Sequence, residues 1–183
     1  MDTNTYMNEL ERRMHQDGWE ISEVSFSGGR TLAGFHSRWK FVGGRDDVRM
    51  HIYVFAQPAA EATAQNLEQL VADAWDYGKR THGKFRGLDQ ELVVVPGLIA
   101  ERVTPEARAA AETRPKKEWG GMIEPVVVDL TQGDSSRYTG AIWFGGELAD
   151  VTRDVADRYF VPAPSASGYQ PSWGTGSGQA AAG

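Results

Sequence analysis

Two histidines and three cations stand close together in this chain. His36, Arg38 and Lys40 alternate along one stretch, and Arg49, His51 and Tyr53 alternate along the next. Imidazoles can ligate a metal or carry protons, and arginines offer two parallel N–H donors to a phosphate or carboxylate. Tyr53 adds a hydroxyl or a stacking surface. If two paired strands present all six on one face, that face is basic and binds anions. Lys79, Arg80, Lys84 and Arg86 follow in a cationic stretch expected to be a loop over it, and they complete the candidate ligand- or partner-binding set. The plainer reading is a solvated sheet face neutralised by Glu20 and Glu23 on the preceding strand.

More specific chemistry fails on residue types. His36 and His51 would be diagonal neighbours, about 7–8 Å apart at the backbone. Arg38 would stand beside any ion they shared, and no third ligand is identifiable, so no metal site is assigned. The absence of cysteine removes disulfides, thiolate nucleophiles and zinc–thiolate sites. No Gly-x-Ser-x-Gly occurs, and Gly133-Asp134-Ser135-Ser136 reads as a turn. Gly78-Lys79-Arg80-Thr81-His82-Gly83-Lys84 resembles a phosphate-binding loop, but Phe85 stands where a magnesium-binding hydroxyl is needed. The order helix, three antiparallel strands, helix, strand is also found in the core of restriction-endonuclease-like nucleases. Their metal site needs an acid-x-lysine pair on the third strand. Here that strand offers Arg49-Met50-His51, so the likeness stays at the level of fold analogy. No catalytic residue and no cofactor is assigned.

The elements that must position these side chains are read from periodicity. Ala33, Phe35, Trp39 and Phe41 alternate with polar residues, as do Val48, Met50, Ile52, Val54 and Ala56. Folding back through Gly43-Gly44-Arg45-Asp46 predicts the pairs Phe41–Val48, Trp39–Met50, Ser37–Ile52 and Phe35–Val54, with every apolar partner on one face. Trp19–Phe26 reads as a preceding strand closed by Ser27-Gly28-Gly29-Arg30, with Val24 facing Ala33. Amphipathic stripes predict helices over Thr5–His15, Ala59–Arg80 and Glu147–Phe160, and Thr104-Pro105-Glu106 opens a short one. Leu92–Val95 and Leu98–Val103 read as strand interrupted at Pro96-Gly97. Met122–Thr131 and Arg137–Phe144 read as a second hairpin.

The predicted fold class is α+β: a mainly antiparallel sheet of five to seven strands, its helices packed mostly on the face of Phe35, Trp39, Ile52 and Val54. Residues 1–161 form one expected domain. From 162 to 183 the chain has no charge and is rich in Pro, Gly, Ser and Ala, which predicts a flexible tail with Tyr169 and Trp173 as candidate docking aromatics. The net charge of −6 argues against general affinity for nucleic acid or anionic membranes. The start of the chain lacks a cationic, then apolar leader, and a cytoplasmic location is expected. These residues point first to a non-enzymatic interaction or adaptor protein that binds a protein partner or a second copy of itself. The alternative is a phosphate-ligand or nucleic-acid binding protein, or an enzyme, acting through the basic face.

Overall fold

The computed structural model describes residues 1–40, 48–82, 90–118, 120–141 and 146–162. The elements run α1 (Thr3–Gln16), β1 (Glu20–Phe26), β2 (Gly29–Lys40), β3 (Val48–Ala59), α2 (Ala64–His82), β4 (Gln90–Ala100), α3 (Pro105–Ala111), β5 (Lys116–Glu118), β6 (Gly121–Ile123), β7 (Val126–Asp129), β8 (Asp134–Ser136) and α4 (Gly146–Phe160). The fold is α+β, and the expected order of helix, three antiparallel strands, helix, strand is present. The tail, with Tyr169 and Trp173, lies outside the described residues, as do Lys84 and Arg86. Among the described residues no helix is long and apolar enough to cross a membrane.

The eight strands form one mixed sheet of order β1-β2-β3-β4-β6-β5, with β7 also beside β4 and β8 beside β7. The β1–β2, β2–β3, β5–β6 and β7–β8 pairings are antiparallel, while β3–β4, β4–β6 and β4–β7 are parallel. A parallel pair needs a long crossover, and α2 supplies it between β3 and β4. The helices cover both faces, which corrects the one-sided packing predicted from sequence. α1 and α4 pack with Met50, Ile52, Val54, Val93 and Val95. On the other face α2 packs with Tyr53, Phe55, Leu92 and Val94, and with α3 it covers Leu98 and Val127. Strands buried on both faces need not alternate, and β3 and β4 are near-continuous apolar runs.

Two-sided burial also explains the register. Phe35 pairs with Tyr53, Ser37 with His51, Arg38 with Met50 and Trp39 with Arg49, one residue away from the predicted Phe35–Val54 and Trp39–Met50 pairs. The prediction assumed a solvated second face, for which such a slip would bury charge. Here the second face lies under α2, so the half-buried Phe35 packs against the buried Tyr53 there. Gly34 faces α1 instead, where a Cβ would stand 1.9 Å from the Met14 Cε atom. The β1–β2 turn is Ser27-Gly28, with Phe26 opposite Gly29 and Val24 opposite Thr31 rather than Ala33. Trp19 and Ile21 on one side and Val24 on the other are each covered, so β1 needs no bulge.

Local signals account for the helix ends. The Asp2 carboxylate accepts the Thr5 N–H at 2.9 Å to start α1, and Gly18 at φ 76° ends it. The Thr104 hydroxyl accepts from Ala107 N–H at 3.2 Å, with Pro105 in the first turn of α3. Gln57-Pro58, predicted as a helix start, belongs to β3, and α2 begins after Thr63, whose hydroxyl accepts from Asn66 N–H. Strand β4 runs unbroken through Pro96-Gly97. Its neighbour is broken there instead: β6 ends at Ile123, β7 starts at Val126, and Pro96 falls opposite that gap. The missing N–H of proline therefore disrupts no ladder bond on that side.

Candidate functional site

The register divides the predicted basic face. Tyr53, His51 and Arg49 lie on the α2 side with Phe35, Ser37 and Trp39, whereas His36 and Arg38 belong to the alternate set on the α1 side; Lys40 follows at the next alternate register position, opposite Val48. The His36 ring lies 5.5 Å from that of Trp19, and Arg38 is exposed. The diagonal His36–His51 geometry is therefore absent, and among the described residues no group of three His, Cys, Asp or Glu side chains could hold a metal. Lys79 and Arg80 belong to α2, not to a loop. Lys79 pairs with Asp76 at 3.0 Å and stands 5.8 Å over the Trp75 ring, and Arg80 donates to the Asp76 carbonyl at 3.3 Å. Neither reaches the hairpin face.

What the fold assembles is a ladder of side chains running toward the Lys40–Val48 end of the β2–β3 pairing. Phe35 and Tyr53 come first, with ring centroids 4.9 Å apart. Ser37 and His51 follow, then Trp39 and Arg49. The Arg49 guanidinium donates through Nε and a terminal nitrogen to the Ser37 hydroxyl at 3.2 and 3.1 Å, and its central carbon lies 5.7 Å from the Trp39 ring centroid. Guanidinium stacking of this kind combines cation–π attraction with apolar contact. Trp39 is 65% exposed, the most exposed large apolar side chain among the described residues. Arg38 and Arg49 have no carboxylate partner among the described residues. By contrast Arg12, Arg30, Arg108, Arg137 and Arg158 each hold one.

The last residue of α2 closes the ladder from above. His82 stacks on His51 at a centroid distance of 4.3 Å and 12° between planes, and on Phe35 at 4.7 Å. Its Nδ1 lies 2.6 Å from the Tyr53 hydroxyl. We read the phenol, the stronger acid of the two, as donor. His51 is buried, and neither of its ring nitrogens has a hydrogen-bond partner among the described residues. Burial, then the nearby His82 and Arg49, push its pKa down to about 4, and Gln90 on β4 opposes this slightly. Burial and Arg49 lower His82 as well, against Glu20. Burial raises the Tyr53 hydroxyl to about 12, so it keeps its proton. The stack is thus neutral at pH 7, with a permanent cation beside it.

His82 was absent from the sequence-derived set, although its spacing carried a signal. It continues the buried stripe Leu70, Ala74, Trp75, Gly78 by one further turn, and residues on one helix face recur at such steps. A second polar cluster, Arg108 with Asp129, Asp134 and Ser136, sits beyond the carboxyl end of β7. Ligands of α/β sheets usually bind in that region. Here Arg108 is spent on both carboxylates, and the other Asp129 oxygen accepts the Thr131 and Gln132 N–H groups. That cluster fastens α3 to the β7–β8 turn. Compared with family models, curated proteins and solved structures, the chain matches none.

Proposed function

We propose that this protein is a non-enzymatic interaction module that takes an acidic segment of a partner protein on the Trp39–Arg49 pair of its β2–β3 hairpin. The observation that carries the reading is the exposed Trp39 ring beneath the Arg49 guanidinium, which has no carboxylate partner among the described residues, with Arg38 alongside in sequence. Tryptophan and arginine are the residue types that dominate binding energy at protein interfaces. A positive site on a chain of net charge −6 selects acidic partners and disfavours a second copy of the same chain. The neutral histidine stack beside this pair, its His82 ring held by the Tyr53 hydroxyl, serves as its floor.

The test is direct binding of the full chain to a glutamate–tyrosine copolymer, measured in low salt. Binding should weaken at least tenfold in Trp39→Ala and in Arg49→Gln, and should fall as salt rises. Wild-type affinity in both variants would refute the reading. A parallel melting series with inorganic phosphate, nucleotides and short oligonucleotides tests the anion-binding alternative. Saturation at a hundred times Kd would add about 2.7 kcal/mol of stability. Such a shift with an oligonucleotide, and none with the copolymer, would favour nucleic acid over protein.

A further inference from the structure

We propose, resting on the reading above, that the His51–His82 stack makes partner binding proton-coupled: an acidic segment seated on Arg49 draws a proton onto the stack, so mildly acid solution strengthens the complex. The geometry makes the two sites one electrostatic unit. Arg49 and His51 share a face of β3 two residues apart, Trp39 and Ser37 oppose them on β2, and His82 lies on His51 at 4.3 Å. A guanidinium with no carboxylate partner among the described residues, beside two stacked imidazoles, disfavours charge on either ring. A carboxylate that pairs with it removes that repulsion without adding any contact to the rings.

The groups facing the stack from each element can be weighed. From β3, Arg49 opposes protonation, and Tyr53 offers a hydroxyl that retains its proton. From β1, Glu20 favours it. From α2, Tyr77 stands edge-on to Tyr53 at 5.7 Å, and the carbonyl end of the helix favours a cation at His82. From β4, Gln90 weakly favours charge on His51. Arg49 is thus the one fixed charge opposing the proton among these, and it is the group that the partner would neutralise. The proton enters at His82 Nδ1. The Tyr53–His82 hydrogen bond then reverses, with the phenol oxygen accepting. By linkage, whatever raises the stack's proton affinity is itself bound more tightly by the protonated form.

Titration calorimetry of the wild-type chain with the glutamate–tyrosine copolymer, in two buffers of different ionisation enthalpy at pH 6, reads proton uptake without any variant. Net uptake is expected, together with a Kd that falls about threefold to tenfold between pH 7.5 and 5.5. His82→Gln and His51→Phe should each lose most of that pH dependence, read as the ratio of Kd at pH 7.5 to Kd at pH 5.5 within each variant, whatever its affinity at pH 7.5. Tryptophan-sensitive binding with no proton uptake and a flat Kd would overturn this inference and leave the interaction module standing. An unchanged pH dependence in both variants would also overturn it. No binding at any pH would remove the proposed function itself.

Discussion

Gly34 and Gly97 sit at the two tightest approaches between a helix and the sheet, and they should respond differently to the same change. At Gly97 a Cβ would fall 2.1–2.6 Å from three atoms of the Phe160 ring, a rigid group that is fully buried. At Gly34 it would meet the terminal methyl of Met14, which can swing aside. Gly97→Ala should therefore destabilise by about 2–3 kcal/mol and Gly34→Ala by clearly less, as read by urea unfolding. Acid sensitivity belongs to the same scale. His51 titrates near 4 when folded and near its ordinary 6.5 when unfolded, so the folded chain binds fewer protons between those values. Stability should be full above pH 6.5 and fall progressively toward pH 4, by at most roughly 3 kcal/mol. His51→Phe should flatten that part of the pH–stability curve, and an unchanged slope would show that other groups cause it.

Elements were legible where one local signal decided them and illegible where the covering partner did. The caps at Thr104 and Gly18, the stripes of α1, α2 and α4, and the hairpin nature of β2–β3 follow from residue types a few positions apart. Thr104→Ala should cost about 1 kcal/mol, because the Ala107 N–H loses its acceptor. The hairpin register was not legible. Both registers bury apolar residues, and the choice depends on whether Phe35 faces α2 or Gly34 faces Met14, contacts with elements far away in sequence. The candidate site inherited that error: His36 and Arg38 went to the other face, and His82 came in from α2. Another element-level tie is Arg137, which joins Asp157 of α4 to the buried Glu124 in the β6–β7 break, with its guanidinium 3.7 Å from the Glu124 carboxylate. Burial holds the Glu124 pKa above the usual range. Arg137→Ala should cost about 3 kcal/mol by leaving that carboxyl alone, and Glu124→Gln in the same chain should recover part of the loss.

At the scale of the whole molecule, ion pairs tie separate elements together among the described residues. Asp17 joins Arg158 at 2.6 Å and so ties the end of α1 to α4, and Asp129 with Asp134 neutralises Arg108. Most of these pairs are exposed and contribute little to stability. Among the described residues they leave Arg38 and Arg49 without a carboxylate partner, on a molecule of net charge −6.

The break opposite Pro96 has a consequence for how the sheet opens. β4 lies between β3 on one side and β6 and β7 on the other, and its residues from Leu92 to Ala100 are fully buried. β1, by contrast, is a seven-residue edge with its outer side unpaired among the described strands. Amide hydrogen exchange should therefore be graded across the sheet: fastest at Ile21, Glu23 and Ser25, and slowest at Val93, Val94, Leu98 and Ile99, which exchange only when the whole domain unfolds. The gap between β6 and β7 adds a seam within that protected strand. It frees no amide: the even-numbered residues of β4 turn their N–H and C=O groups to that side, Pro96 has no N–H, and Val95 turns its own toward β3, so Val95 should exchange as slowly as Val93 and Val94.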